Sequence, residues 1–268
     1  MWNEARIINA TANLLMVLAV SALLVGLSVW VVRLPVFDVT RIAIVPAEDG
    51  EFRYVSPDVV RSAIAGRLIG NFFTMNLGQA REAFESAAWV RRASVRRVWP
   101  NQLIVEVEEQ QPLALWNDNQ MINTWGEVFT ANRAVLDNED SLPQFYGPDG
   151  SQGLIVQRYA ELGRWFEQLG LSVKTLELSN RYALEAQLSD GLRLVLGRDP
   201  GADTVNPQAG VPGAIPFGAR IERFVRNWPT AVAQLKGRGI ERVDLRYPNG
   251  FAITLAQAPA PITSNKKR

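Results

Sequence analysis

One uncharged stretch of nineteen residues, Leu14 to Val32, constrains the fold of this 268-residue chain more than any other feature. A helix of that length is about 28 Å long, close to the roughly 30 Å hydrocarbon core of a bilayer. A cleaved secretory signal would have a shorter apolar stretch followed by small residues, whereas Arg33, Leu34 and Pro35 follow here. A helix of a soluble protein normally shows a polar face, and this stretch shows none. The stretch therefore predicts a single, uncleaved membrane anchor at residues 14–32.

The charges beside this anchor do not settle its orientation. Arg6 and Glu4 precede it, and Arg33, Arg41 and Arg53 follow it. Counting basic residues would not place the N-terminal segment in the cytoplasm, but long domains cross membranes largely regardless of such charges. From the residues alone, both orientations stay open.

The composition argues against catalysis. The chain has no histidine and no cysteine, which excludes Ser-His-Asp and Cys-His nucleophiles and zinc sites built from thiolate or imidazole. A formal net charge of +1 does not indicate the strongly basic character that is typical of nucleic-acid-binding proteins. Carboxylate chemistry remains, but Glu106, Glu108 and Glu109 alternate with valines, as on the solvated face of a strand. We predict no catalytic residue, cofactor, metal or small-molecule substrate.

Residues 35–110 predict a compact α+β module in the order β-α-α-β-β. The first strand covers about residues 39–45. Ser56 followed by Pro57 begins a helix, with serine as N-cap and proline in the first turn. Asn76 is a plausible N-cap for the second helix.

A hairpin ends this module, with strands at about residues 90–99 and 103–109. A three-residue loop predicts Val95 opposite Val107 and Arg96 opposite Glu106, which pairs apolar with apolar and base with acid. The four arginines of the first strand suggest either a nucleic-acid patch or, since glutamates oppose them, a charge-laddered surface, which we favour; they are Arg91, Arg92, Arg96 and Arg97.

Residues 111–257 predict a second, mixed and mainly antiparallel β domain with helices. One amphipathic helix covers about residues 154–169 and ends at Gly170. A later helix carries Ile221 to Trp228, and Pro229 should kink or break it. Three β stretches lie between these helices, and a final hairpin follows them; they are residues 175–178, 182–188 and 192–196, then 240–247 and 251–255 around Pro248-Asn249-Gly250.

Two segments are predicted to contain little regular secondary structure. Residues 199–216 are rich in glycine and proline without apolar periodicity, and we expect an exposed, mobile loop. Residues 258–268 end in Lys266-Lys267-Arg268 and cannot bury a core, so we expect a disordered tail.

These residues together resemble the bacterial cell-division family FtsQ, also called DivIB. The resemblance extends from the anchor to about Leu255, and its first extracytoplasmic module is a POTRA domain. It rests on the anchor and on short motifs, namely Phe37-Asp38-Val39, Gly70-Asn71-Phe72-Phe73, Trp89-Val90, Val95-Arg96-Arg97-Val98-Trp99-Pro100 and Val243-Asp244-Leu245-Arg246-Tyr247.

The resemblance implies a single-pass protein of the bacterial inner membrane that acts at the division septum. Residues 1–13 would be a cytoplasmic tail and the bulk would be periplasmic. It further implies a non-catalytic scaffold that binds the FtsB–FtsL pair, links early and late division proteins and so regulates septal peptidoglycan synthesis. The POTRA module would recruit the protein to the septum.

The resemblance also places the FtsB contact along the final hairpin. Arg246 would pair with a carboxylate, Tyr247 would pack its ring and Arg198 would be a second basic contact. The edge strand would receive a partner strand, and a proline at Ala252 or Thr254, whichever amide faces outward, should weaken binding. The full predicted site is Arg198, Arg246, Tyr247, Asn249, Gly250, Phe251, Ala252, Ile253, Thr254 and Leu255.

Two other classes stay open at this point. A membrane-anchored cell-wall enzyme would need an apposed carboxylate pair in a cleft. A POTRA-containing assembly or secretion module would usually carry several copies of the module, whereas one is recognisable here.

Overall fold

The apolar stretch lies within one long helix, α1 (Trp2–Val32). The computed structural model describes residues 2–48, 50–136, 141–198 and 215–256. The part of α1 from Ile8 to Val32 is 25 residues long, has a mean hydropathy of 2.6 and is not buried inside the molecule. It is therefore long and apolar enough to cross a membrane as a single span. The chain divides into two compact units, residues 1–110 and 111–268.

The first unit has the predicted order β-α-α-β-β after the span. Its three-stranded sheet has the order β1-β3-β2, with β1 parallel and β2 antiparallel to β3. Its elements are β1 (Arg41–Pro46), α2 (Pro57–Ile64), α3 (Leu77–Glu85), β2 (Val90–Val98) and β3 (Gln102–Glu109).

Local sequence explains both helix starts. Ser56 takes the N-cap position of α2, before Pro57 in the first turn, but its side chain makes no capping hydrogen bond. The Asn76 side chain accepts hydrogen bonds from the Gly78 and Gln79 amides at the start of α3. The apolar sides of the helices and the sheet are buried at Val60, Ile64, Ala80, Phe84, Leu103, Val105 and Val107.

The predicted register of the β2–β3 hairpin was wrong. Val95 lies opposite Val105 and Arg96 opposite Ile104, because Val98 already pairs with Gln102. Trp99 therefore belongs to the turn. The shift of two residues keeps every side chain on its predicted face, which is why the burial of the β3 valines was predicted correctly.

The charge ladder of this hairpin is confirmed. Arg91 Nη1 lies 2.5 Å from Glu108 Oε1, and Arg96 Nε lies 3.3 Å from Glu106 Oε1. Because of the register shift, Arg96 reaches Glu106 diagonally instead of from the directly opposite position. These arginines therefore face carboxylates of the same sheet.

The second unit contains a nine-stranded sheet of order β12-β11-β10-β9-β8-β7-β4-β5-β6. Among the described strands, antiparallel pairing predominates, with parallel pairing of β4 with β7, β7 with β8, and β10 with β11. The strands are β4 (Pro112–Trp116), β5 (Gln120–Asn123), β6 (Val128–Phe129), β7 (Gln144–Tyr146), β8 (Val173–Leu178), β9 (Ala183–Leu188), β10 (Arg193–Arg198), β11 (Ile240–Asp244) and β12 (Ala252–Leu255).

Two helices, α4 (Gln152–Phe166) and α5 (Phe217–Gln234), cover one face of this sheet. A short 3₁₀ turn extends α4 to Leu169, and Gly170 follows it with a left-handed φ of 67°, as predicted. The core between helices and sheet includes Phe145, Leu162, Phe166, Leu194, Phe224 and Val243.

Pro229 does not break α5 in two. The helix continues through it to Gln234. Proline removes one backbone hydrogen bond from a helix, whereas the turn before it buries Phe224, Val225 and Trp228. Tertiary packing of this apolar face therefore outweighs the local helix-breaking tendency.

Two predicted segments fall mostly outside the described residues. The described residues resume at 215, so of the predicted mobile loop 199–216 only Ile215 and Pro216 are seen. The predicted tail 258–268 lies wholly outside them.

Candidate functional site

The predicted partner strand, β12, forms an edge of the nine-stranded sheet. It pairs on one side with β11, and the described residues contain no strand on its other side. Its side chains alternate, with Ala252 and Thr254 exposed and Ile253 and Leu255 half-buried. An edge strand leaves a row of backbone N–H and C=O groups available for an added strand.

The backbone pattern shows which amides face that open side. The Leu245 amide donates to Val195 O on β10, and the Ala256 amide donates to Gly239 O next to β11. Since amide direction alternates along a strand, Ala252 and Thr254 donate inward to β11, where they lie opposite Asp244 and Arg242.

Within β12, the outward amides therefore belong to Ile253 and Leu255. Our prediction that proline at Ala252 or Thr254 would remove an outward donor was wrong at both positions. The sequence predicted the strand but not which of its amides pair with β11, because that depends on the register between the two strands.

The loop of this hairpin is longer than the predicted Pro-Asn-Gly turn. Pairing ends at Asp244 and Ala252, so residues 245–251 form the connection. Asp244 explains why β11 ends early: its Oδ1 accepts the Arg246 amide at 3.0 Å, a side-chain turn that competes with the strand ladder. Asn249 lies exposed in this loop and Gly250 is partly exposed.

Arg246 is fixed by the same carboxylate. Its Nε lies 2.9 and 3.1 Å from the two Asp244 oxygens, and its Nη2 lies 2.6 Å from Oδ2. Hydrogen bonding and charge from Arg246 hold the pKa of Asp244 below its ordinary value. Nη1 of Arg246 makes no hydrogen bond within the part of the chain that the structure describes, and its side chain is 58% exposed.

A glycine on β10 makes room for this arginine. Gly197 has a left-handed φ of 75°, and a Cβ placed there would come within 2.6 Å of Arg246 Cγ. The aliphatic part of Arg246 therefore lies directly over the Gly197 backbone. Gly197 also marks the bulge where β10 shifts register against β9.

Arg198 stands next to this contact, at the end of β10. Its Nε donates to Arg181 O at 2.8 Å, and its own carbonyl accepts a bond from Arg220 Nη2. Arg220, nearly buried on α5, also donates from Nη1 to Leu196 O at 2.7 Å. Arg198 is thus the last residue of β10, and Arg246 lies two residues beyond the end of the parallel neighbour β11.

Helix α5 holds the loop that leads to the edge strand. Arg223 donates from Nη1 to Pro248 O, and the Phe251 ring packs edge-on against Phe224 at 5.5 Å between centroids. Tyr247 is 53% exposed. The site is an open surface of basic groups, one exposed aromatic ring and an unpaired strand edge, which suits a peptide segment better than a small molecule.

Sequence reasoning missed four residues that shape this surface. They are Gly197, Arg220, Arg223 and Asp244, which position the predicted residues. Asp244 carried a signal, because an aspartate two residues before an arginine at a strand end can form a local turn. The others depend on contacts distant in sequence.

Two domain families match the chain. A model described as "Cell division protein FtsQ/DivIB, C-terminal" matches residues 114–246, and one described as "POTRA domain, FtsQ-type" matches residues 49–110. The second match confirms the predicted POTRA fold of the first unit. The first covers Arg198 and Arg246.

Relatives named "Cell division protein FtsQ" align over almost the whole chain. The Bordetella pertussis protein is 56% identical over 267 residues, which cover 100% of this chain and 97% of the relative. The Burkholderia pseudomallei protein is 42% identical, covering 96% and 95%. The Nitrosospira multiformis protein is 35% identical, covering 94% and 98%. The chain therefore belongs to the FtsQ/DivIB family of cell-division proteins.

Proposed function

We propose that this chain is a non-catalytic scaffold of the division machinery that binds the FtsB–FtsL pair along β12. Its role in cell division follows from its family. The observation that carries the finer proposal is the edge position of β12 among the described strands, with the outward amides of Ile253 and Leu255. An extended partner segment would add a tenth strand there through main-chain hydrogen bonds.

The side chains beside this edge supply specificity. The exposed ring of Tyr247 offers apolar area with a polar tip, a side chain that often dominates binding energy at interfaces. Arg198 and Arg246 are basic groups at neighbouring strand ends, so an acidic residue beside the added strand would complement them. Because Asp244 already orients Arg246, little side-chain entropy is lost when the partner binds.

The absence of histidine and cysteine from the sequence supports a scaffold over an enzyme. Within the described residues, no group of three or more acidic side chains is placed to hold a metal ion. The shifted pKa of Asp244 has a structural cause, its bidentate pair with Arg246. We therefore place the function in binding.

The span and the two units fit a division of tasks. We propose that α1 anchors the chain in the inner membrane with its N-terminus in the cytoplasm and both units in the periplasm. The POTRA unit would recruit the protein to the septum, while the second unit would hold FtsB. The FtsQ-type POTRA match favours this role over an assembly or secretion module.

Co-purification of the full chain with FtsB and FtsL tests the proposal. Tyr247→Ala should weaken binding by about thirty-fold, the loss at which a residue counts as an interface hot spot, and Arg246→Glu should weaken it further by repelling the acidic partner residue. Trp125→Ala is the matched control, because that tryptophan is 44% exposed in the turn between β5 and β6, at the opposite edge of the sheet.

If the Tyr247→Ala and Arg246→Glu proteins fold and bind FtsB–FtsL as tightly as wild type, the binding site does not lie on the hairpin. Loss of binding in the Trp125→Ala control would also count against a site confined to this edge.

A further inference from the structure

Four aromatic rings of the POTRA unit cluster just after the membrane-spanning helix. The Phe37 ring lies 4.9 Å from Phe73 and 5.4 Å from Trp99, centroid to centroid. Phe72 completes the cluster, 5.6 Å from Trp99. The rings come from three separate segments, so folding of the unit assembles them.

Hydrogen bonds tie this cluster to the end of the span. Asn71 Nδ2 donates to Val32 O, the last residue of α1, at 2.6 Å. The Asn71 Oδ1 atom accepts the Phe73 and Thr74 amides at 3.1 Å each, and the Phe72 amide donates to Phe37 O at 2.8 Å. The rings are therefore held beside the C-terminal end of α1.

Much of this aromatic surface is exposed. Trp99 is 64% exposed and Phe73 46%, and two aliphatic neighbours in the chain, Val36 and Ile69, are 55% and 80% exposed. At the other end of the same hairpin, Trp89 is only 4% exposed and stacks on Tyr54 at 4.7 Å. The unit thus buries Trp89 against the half-buried Tyr54 but leaves the apolar groups beside the span exposed.

Exposed basic side chains flank these rings. Arg33 follows the span directly, Arg41 begins β1, and Arg97 donates to Met75 O near the turn that carries Trp99. Asp38 is an exposed acid in the same segment. Tryptophan at the level of the headgroups, with arginine beside it, is the pattern of membrane interfaces.

We propose that this patch, comprising Val36, Phe37, Ile69, Phe72, Phe73 and Trp99, rests in the interfacial layer of the same membrane that α1 spans. The occupant is lipid: the rings lie among headgroups and upper acyl chains, and Arg33 and Arg41 meet phosphates. The argument for lipid is continuity, because the patch adjoins the end of a helix that itself requires bilayer. Docking this patch fixes the POTRA unit close to the membrane surface.

A spin label tests this directly, since the chain has no native cysteine. The full chain, reconstituted in phosphatidylethanolamine–phosphatidylglycerol vesicles, would carry the label at Asn101→Cys in the turn beside Trp99 or at Glu51→Cys in the segment that leads to Tyr54. Collisions with oxygen report lipid, and collisions with a water-soluble nickel chelate report water. The label at 101 should favour oxygen and the label at 51 the chelate.

A second set of variants separates docking from folding. Ile69→Asp, at the most exposed apolar position of the patch, should abolish the oxygen preference at residue 101. Val59→Asp is the matched control, because Val59 is an equally apolar residue of α2 that is 59% exposed and lies outside the patch. Circular dichroism would check that each variant keeps its fold.

Equal access of the chelate to labels at 101 and 51 would overturn the proposal. Low access of both reagents at 101 would also overturn it, because the patch would then be covered by a second protein chain. An unchanged oxygen preference in Ile69→Asp would count against the patch as the docking surface.

Discussion

At the scale of single residues, the pairing of Asp244 with Arg246 decides how the candidate site presents its charge. Asp244 is 14% exposed and Arg246 58%, so the pair lies at the surface but its acid is largely covered. The carboxylate both ends β11 and orients the guanidinium. The Asp244 side chain thus both shapes the loop and holds the Arg246 guanidinium in place.

We expect Asp244→Asn to lower stability at neutral pH by no more than about 1 kcal/mol, the range of partly exposed ion pairs. Because Arg246 lowers the pKa of Asp244, the stabilisation is present above the ordinary aspartate pKa and is lost as pH falls through the lowered value. Thermal unfolding of both proteins should therefore differ at pH 7 and converge in strong acid.

Asp190→Asn is the control for this series, because its carboxylate accepts the Leu192 amide at 3.0 Å without an arginine partner among the described residues. A wild-type advantage over Asp244→Asn that grows in acid would contradict the pairing.

Gly197→Ala should be more damaging. A non-glycine residue at a left-handed φ costs about 1–3 kcal/mol, and the added methyl group must also displace Arg246. Gly150→Ala isolates the second effect, since Gly150 has a similar φ of 85° and nothing lies within 4 Å of the place that its added methyl group would occupy. Both variants should lower the unfolding temperature, but only Gly197→Ala should weaken FtsB binding. Equal binding by both would show that Arg246 tolerates displacement.

The sequence was enough to identify the exposed residues of this candidate site, but not the residues that position them. Arg246 and Tyr247 stand in one of the short motifs on which the predicted resemblance rests, so that resemblance could single them out. The closeness of Gly197 to Arg246 depends on parallel pairing of β10 with β11 and on a bulge in β10. No local pattern encodes such a contact between residues almost fifty positions apart.

At the scale of elements, the edge strand can be tested with prolines at two neighbouring positions whose amides face opposite ways. Leu255→Pro removes an outward donor and should weaken partner binding while the hairpin stays formed. Thr254→Pro removes an inward donor opposite Arg242, so it should destabilise the β11–β12 pairing itself, because proline cannot serve in a ladder.

Amide hydrogen exchange on the free protein separates the two effects. Thr254→Pro should lose protection in β11, and Leu255→Pro should keep it. Unchanged FtsB binding by a protected Leu255→Pro protein would argue against strand addition at this edge.

Elements were predictable where a local pattern specifies them. Capping residues predicted the starts of α2 and α3, and Gly170 predicted the end of the helical segment that contains α4. Errors arose where the structure depends on pairing between strands. The observed β2–β3 register differs from the predicted one by two residues, because Trp99 lies in the turn and not in the strand. The loop between β11 and β12 is longer than predicted, because the Asp244 side chain accepts the Arg246 amide in place of a backbone bond between the strands.

At the scale of the whole molecule, each unit has its own core. The cluster around Leu103 draws its buried residues from the first unit, and the cluster around Phe145, Phe224 and Val243 draws its buried residues from the second. The boundary between the two units falls after residue 110. Each unit therefore qualifies as a domain that folds around its own interior.

Separate cores lead to a prediction about separate tasks. Deleting residues 36–110 removes the POTRA unit but leaves α1 joined to the second unit, whose core loses no buried residue. The shortened protein should still bind FtsB, because every residue of the candidate site lies beyond residue 197, and it should lose its position at the septum. Fluorescence microscopy and co-purification from the same cells measure both properties. Septal localisation of the deleted protein would show that recruitment does not need the POTRA unit, and loss of FtsB binding by a stable deleted protein would show that the two units act as one.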